Sequence, residues 1–291
     1  MMKRLLLIPF LLILSFTLCK AQVIVDGSPT SQKSPNALDS IVYRITYQAL
    51  SVEDTTKKDK KGKYLYKEDL MRLDIGHHLN RFYSYTQEQY DSIVKAGVSA
   101  GGVLSAPKVS SGGITWILYQ NYPEGKTTFT HWWNTMRLKV TEDIEQPSWS
   151  IVSDSTATIL GYHCTMATTT FKGRKWTAWY TEDIPMNVGP WKLNGLPGLV
   201  LKAEDSSKQY IFSAVGLQQI HDIQTIPGIK GEGKYRSIDM KTYRKIIRET
   251  SIGEALSASG IRIGTGTDPE WNKKFNSYIS KTQPSNPIEK E

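Results

Sequence analysis

The stretch from Trp179 to Leu201 reads Trp-Tyr-Thr-Glu-Asp-Ile-Pro-Met-Asn-Val-Gly-Pro-Trp-Lys-Leu-Asn-Gly-Leu-Pro-Gly-Leu-Val-Leu. Its prolines, Pro185, Pro190 and Pro197, fix φ and remove amide donors, while Gly189, Gly195 and Gly198 open positive φ. Such a segment cannot continue as regular helix or sheet. It reads as a long shaped loop between strands, with Pro185, Gly189, Pro190, Gly195, Leu196, Pro197, Gly198 and Leu199 as its structural motif.

On either side of this loop the chain alternates. Ser40 to Leu50 places Ile41, Tyr43, Ile45, Tyr47 and Ala49 on one face and polar residues on the other, the period of a half-buried strand. Thr55 to Gly62 is a charged, hairpin-like insertion, and Tyr64 to Tyr85 fits two or three further strands with a turn at Gly76. Thr86-Gln87-Glu88-Gln89 offers a capping box for a helix from Gln87 to about Ala96, with Tyr90, Ile93 and Val94 inward. Gly97 to Gly113 is a loop or lid rich in Gly and Ser.

Strands are then expected at Ile114–Gln120, Thr127–Trp133, Met136–Glu142 and, briefly, Ser148–Val152. Two hairpins follow, Ile159–Phe171 with Lys175–Thr181, and Leu199–Ala203 with Gln209–Gly216. Helices are predicted over Ile238–Thr250, capped by Ser237 or Asp239, and over Glu270–Ile279. Consecutive strands with short turns and no crossover units imply a mainly β (α+β) fold. The expected architecture is a curved antiparallel sheet or partial barrel with a few helices packed on one side.

The first 21 residues combine Lys3 and Arg4, an apolar run from Leu5 to Leu18 and Cys19-Lys20-Ala21, the pattern of a secretory signal peptide. Leu18, ahead of Cys19, argues against a lipoprotein signal. Cleavage would remove Lys3, Arg4 and Lys20, lowering the formal charge from +8 to +5. The remaining excess lies mainly in Lys57–Lys63 and Lys241–Arg248, without the interleaved aromatics of a single-strand nucleic-acid binder. The expected organisation is a signal peptide (1–21), a flexible leader (22–37), one mainly β domain (38–282) and a flexible tail (283–291). The chain is expected to be exported, to the periplasm, envelope or extracellular space, with no membrane span after cleavage. Cys164 is then the one remaining cysteine, so stability must come from a core and not from disulfides.

Several landmarks occur in order: Asn80-Arg81-Phe82-Tyr83-Ser84, Leu160-Gly161-Tyr162-His163-Cys164, Lys172-Gly173-Arg174, Trp179-Tyr180-Thr181, Ile184-Pro185 and Gly189-Pro190-Trp191-Lys192. Gly195-Leu196-Pro197-Gly198-Leu199-Val200 and Asn286-Pro287-Ile288-Glu289 complete the set. The chain resembles the GLPGLI family of exported Bacteroidota proteins over essentially its whole mature length, with Val200 where the family's name motif has isoleucine. That family has no established activity. Its genes often lie beside TonB-dependent outer-membrane receptors, so the resemblance implies an accessory role in uptake or in the envelope.

Candidate chemistry is sparse. His163, Cys164 and Met166 are the best metal-like cluster, since thiolate and thioether suit Cu(I). On a strand, however, His163 points away from the other two, and no metal or other cofactor is expected. His77, His78, His131 and His221 read as structural or surface histidines, and no catalytic signature occurs. Glu182 and Asp183 are adjacent carboxylates that diverge in an extended segment. Aromatics are denser: Trp132, Trp133, Trp176, Trp179, Tyr180 and Trp191 form either a thick core or a groove for an apolar, peptide or glycan ligand. The binding candidates are Trp179, Tyr180, Glu182 and Trp191. The leading expectation is a non-enzymatic binding or accessory module whose partner is an outer-membrane or periplasmic protein or an apolar or peptide ligand. A periplasmic hydrolase or metal-dependent enzyme, and a structural envelope component, are the alternatives.

Overall fold

The computed structural model describes residues 36–99, 113–261, 267–282 and 285–290, with side chains left undescribed at 96–99. The expected signal peptide, nearly all of the expected leader and most of the expected Gly97–Gly113 loop lie outside the described residues. Thirteen strands form one sheet: β1 (Ala37–Ser51), β2 (Lys67–Gly76), β3 (Asn80–Ser84), β4 (Trp116–Gln120), β5 (Lys126–Trp133), β6 (Met136–Asp143) and β7 (Ser150–Ile159) come first. After them come β8 (Tyr162–Phe171), β9 (Arg174–Thr181), β10 (Leu199–Asp205), β11 (Tyr210–Gln219), β12 (Thr225–Pro227) and β13 (Arg236–Ser237). The helices are α1 (Tyr85–Ser99), α2 (Met240–Glu249), α3 (Ile252–Ala258) and α4 (Pro269–Ile279).

The strand order is β13-β6-β5-β4-β3-β2-β1-β11-β10-β9-β8-β7, with β12 pairing β1. Every pairing is antiparallel except the short β13–β6 contact. The expected curved, mainly β architecture is what the chain adopts. The sheet does not close.

Register explains the two faces. Ile45 pairs with Leu73, Leu73 with Phe82, Phe82 with Leu118, Leu118 with Phe129 and Phe129 with Val140, so one row of apolar side chains crosses six strands on the inner face. On the outer face the neighbouring row runs Arg44, Asp74, Arg81, Tyr119. It is buried as well. Arg44 Nε donates to Asp74 Oδ1 at 2.6 Å, and the Arg81 guanidinium lies over Tyr83 at 3.8 Å. The strand's polar face is therefore not simply a wet one, because α1 and the β11–β13 connection pack outside it. A second small core, Ile41, Leu79, Tyr119, Ile226 and Ile229, sits there.

Four local readings change. Of the two N-cap candidates, Asp239 and not Ser237 caps α2, its side chain accepting from Thr242 N. Ser84, not Thr86, accepts from Gln87 N at the start of α1, while Thr86 Oγ1 turns back to Leu70 N. Ile93, expected inward, is 44% exposed. β7 runs to Ile159 because Leu160 and Gly161, at φ 53° and 86°, make a two-residue turn that ends it there. Its Ser- and Thr-rich end alternates weakly, which hides it in the sequence.

Candidate functional site

The shaped loop folds against the inner face of the sheet. Leu193, Leu196 and Leu199 are buried in the main core, and Gly195 N donates to Asn187 O while Val200 N donates to Val188 O. Tyr47 Oη and Gln120 Nε2 reach across from β1 and β4 to carbonyls of Val200 and Trp191. The two closest backbone approaches need glycine. A Cβ on Gly198 would lie 2.0 Å from Thr181 O, and one on Gly189 would lie 2.4 Å from Leu193 O. Gly195 instead supplies φ 87°. Pro185 and Pro197 are exposed, and Pro190 is buried.

The four residues expected to make contacts do not share one surface. Trp191 is 0% exposed, packed on Trp176 at 5.5 Å and Phe171 at 5.8 Å between ring centroids. Tyr180 is 2% exposed and faces the core, with its hydroxyl 3.4 Å from Glu182 Oε1. Trp179, on the opposite face of β9, is half-buried under Lys202, and Glu182 is exposed. Alternation along β9 separates Trp179 from Tyr180, and the burial of Trp191 removes it from any surface. Trp191 and Tyr180 belong to the aromatic core.

The metal-like cluster is likewise dispersed. His163 is exposed, Cys164 is a buried free thiol whose pKa burial pushes up, and the Met166 sulfur accepts from Ser155. Among the described residues no three His, Cys, Asp or Glu side chains group as metal ligands.

What the inner face does form is an open cavity of about 630 Å³ between β4, β5, α2 and residues 285–289. Trp116, Phe129 and Trp133 of the sheet face α2, whose Tyr243 packs edge-on against Phe129 at 4.9 Å between centroids. α2 presents Tyr243 and Ile247 inward by helical spacing. His131, paired with Trp116 across the ladder, joins the two sides. Its Nδ1 lies 2.8 Å from Tyr243 Oη and its Nε2 lies 2.8 Å from Thr115 Oγ1. Desolvation pushes the imidazole down to about 4, so the ring is neutral near pH 7.

The floor comes from the segment expected to be a flexible tail. Arg174, at the start of β9, uses every guanidinium donor to hold that segment and its own surroundings. Nε donates to Ile288 O, Nη2 to Pro287 O and Asn286 Oδ1, each at 2.8 Å, and Nη1 to Asp205 and Gln209, each at 3.0 Å. Ile288 enters the core and Glu289 is 3% exposed, with Oε1 at 2.5 Å from Lys192 Nζ. Lys192 also bonds Glu142 at the end of β6. Residues 285–290 are thus docked, because one buried arginine and one buried lysine bond groups of Asn286, Pro287, Ile288 and Glu289. Sequence reasoning missed His131, Tyr243 and Glu289 as neighbours. The one available signal was the Asn-Pro-Ile-Glu landmark, whose motif-like order fits a fixed segment better than a mobile one.

Among the described residues no helix is long and apolar enough to cross a membrane. No curated protein matches the chain. A structure titled "Structure of PNGF-II in P21 space group" is similar over 71% of this chain and 33% of its own, with 17% identity and a TM-score of 0.44. The same protein in its C2 space group gives 17% identity, the same 71% of this chain, 32% of its own and a TM-score of 0.42. The chain therefore spans about a third of the length of the solved structures it resembles. Residues 134–245, from the β5–β6 turn into α2, match the family model described as "N-glycanase peptide, N-terminal domain".

Proposed function

We propose that the protein is an exported, non-enzymatic binding or accessory module of the GLPGLI family that takes an apolar or peptide ligand into the cavity between β4, β5 and α2. The observation that carries this reading is the cavity itself. Its volume falls in the range of about 300–1,000 Å³ that small-ligand sites occupy, and its lining mixes the aromatic side chains of β4, β5 and α2 with polar and charged ones. His131 is held by two hydroxyl partners and kept neutral, which suits a structural hydrogen-bonding post more than a proton-transfer base. The family-model match to an N-terminal domain of an N-glycanase supports an accessory role, and so does the resemblance to a family whose genes lie beside outer-membrane receptors. An outer-membrane or periplasmic protein is then the natural source or recipient of the ligand.

Titration of isotope-labelled protein with short apolar peptides tests the reading. The indole N–H signals of Trp116 and Trp133 are expected to shift in a saturable way, while the signal of Trp271 on α4 stays fixed. Uniform small shifts at all three, or none at any, would sink the cavity as a ligand site.

A further inference from the structure

We infer that the lysine-rich connection between β1 and β2 docks on an anionic lipid surface, with Lys58, Lys60, Lys61 and Lys63 meeting the headgroups and Leu65 entering the apolar layer beneath them. The inference goes beyond the cavity reading and does not depend on it. The connection is a built turn and not a slack loop. Lys58 and Tyr64 form an antiparallel bridge, Asp59 N donates to Lys63 O at 2.8 Å, and Gly62, at φ 76°, closes the tip by donating its N–H to Asp59 O. Asp59 Oδ1 accepts from Lys61 N and Lys63 N, each at 2.8 Å, so the one acid of the tip is occupied in holding the turn.

Charge is the second observation. From Val52 to Lys67 six lysines face three acids, a net charge of +3 (6 − 3). That excess is not spread evenly. Lys57 is paired with Asp54, and Lys67 with Glu53, at the base of the connection. Lys58 leans over the Tyr64 ring at 5.1 Å, and Lys60, Lys61 and Lys63 are exposed with no ion-pair partner among the described residues. The uncompensated charge is therefore gathered at the tip, where an ordered turn keeps like charges close and an anionic surface would relieve their repulsion.

The third observation is apolar surface in the same place. Leu65 is 53% exposed and Tyr66 37%, directly after the tip. Tyr66 Oη donates to Lys208 O at 2.6 Å, which fixes this step of the chain against the β10–β11 turn. Lysines beside an exposed leucine match a lipid interface, which offers anions outside and hydrocarbon beneath. A single-stranded nucleic acid is served less well, because its bases need open aromatic faces and Lys58 lies over Tyr64. Lys57 and Lys67 also line the cavity, so the same contact would hold the cavity near the lipid.

The test measures co-sedimentation of residues 22–291, which hold every described residue, with vesicles of phosphatidylcholine alone and of phosphatidylcholine mixed with phosphatidylglycerol. Leaving out residues 1–21 keeps the apolar run at 5–18 from inserting on its own. The mixed vesicles are expected to bind about tenfold more tightly or better, and sodium chloride should abolish the difference. Replacing three lysines together, Lys60→Gln, Lys61→Gln and Lys63→Gln, should weaken that binding about a hundredfold, at about fivefold per lysine. The urea unfolding midpoint should stay where it is, because all three side chains are exposed. A nitroxide in the acyl chains should broaden the Leu65 methyl signals and leave those of the exposed Ile151 on β7 sharp. Equal binding to both vesicles, or to neither, overturns the inference, as does a triple variant that binds like the wild type. If the triple variant does not fold, the wild-type lipid preference and the Leu65 signals decide alone. Sharp Leu65 signals beside salt-sensitive binding, or tighter binding of a thymidine oligonucleotide than of the mixed vesicles, overturn the lipid assignment. The Trp116 and Trp133 titration that tests the cavity is independent of each of these results.

Discussion

Gly198 and His131 show how single positions carry the fold and the site. At Gly198 the neighbouring atoms are backbone, Thr181 O, Thr181 C and Glu182 Cα, so an added methyl cannot be accommodated by moving a side chain. Gly198→Ala should lower stability by about 3 kcal/mol, the upper end of the usual overpacking cost, read from the urea unfolding midpoint; a loss under a third of that would mean the β9–loop junction is pliable. His131 sets a pH dependence. Its folded pKa of about 4 lies below the ordinary value of about 6.5, so the unfolded chain gains a proton that the folded chain refuses as pH falls. The contribution is full above about pH 6.5 and is lost progressively down to about pH 4. It amounts to at most about 3 kcal/mol, and less for a ring that keeps some contact with water. His131→Gln should flatten the stability profile across that interval. An unchanged slope would show that the ring titrates freely.

At the scale of elements, the docked segment 285–290 and helix α1 depart most from what the sequence suggests. Arg174→Met removes one partner of the buried pair with Asp205 and the three hydrogen bonds Arg174 gives the segment, and should cost about 3–5 kcal/mol. Deleting residues 286–291 should destabilise the wild type clearly and the Arg174→Met protein much less, since the two changes disrupt one network. Additive losses in thermal or urea unfolding would refute the anchoring role. On α1, Ile93→Ser should change stability by less than about 0.5 kcal/mol, because this side chain is exposed and not part of the core. The strands were legible because Ile45, Leu73, Phe82 and Phe129 keep period two along their strands and meet only through register. The candidate site was not legible for the same physical reason. His131, Tyr243 and Glu289 lie far apart in the chain, and nothing local to Glu289 reveals the lysine and arginine that bury its segment. Trp191 misled because an aromatic in a glycine- and proline-rich loop looks exposed until the loop is seen folded back on the sheet.

At the scale of the molecule, a single open sheet places its first strand in the middle. β1 carries β2 on one side and β11 on the other, with Tyr43 opposite both Ile75 and Gln219. The meander from β1 to β6 can pair locally as soon as it is made. Its β1 edge, however, has no neighbour until β11 arrives, and the apolar inner row has no cover until the shaped loop, α2 and Ile288 follow. A chain emerging amino terminus first must therefore hold a long, unpaired and strongly apolar edge open for most of its synthesis. Non-local pairing of this kind is slow and exposes the chain to strand-to-strand association. Refolding of the whole chain should be dominated by a phase slowed by this late β1–β11 closure, and chains stopped before β10 should precipitate. The burden of keeping the nascent protein soluble would then fall on whatever escorts the unfolded chain, not on the finished fold.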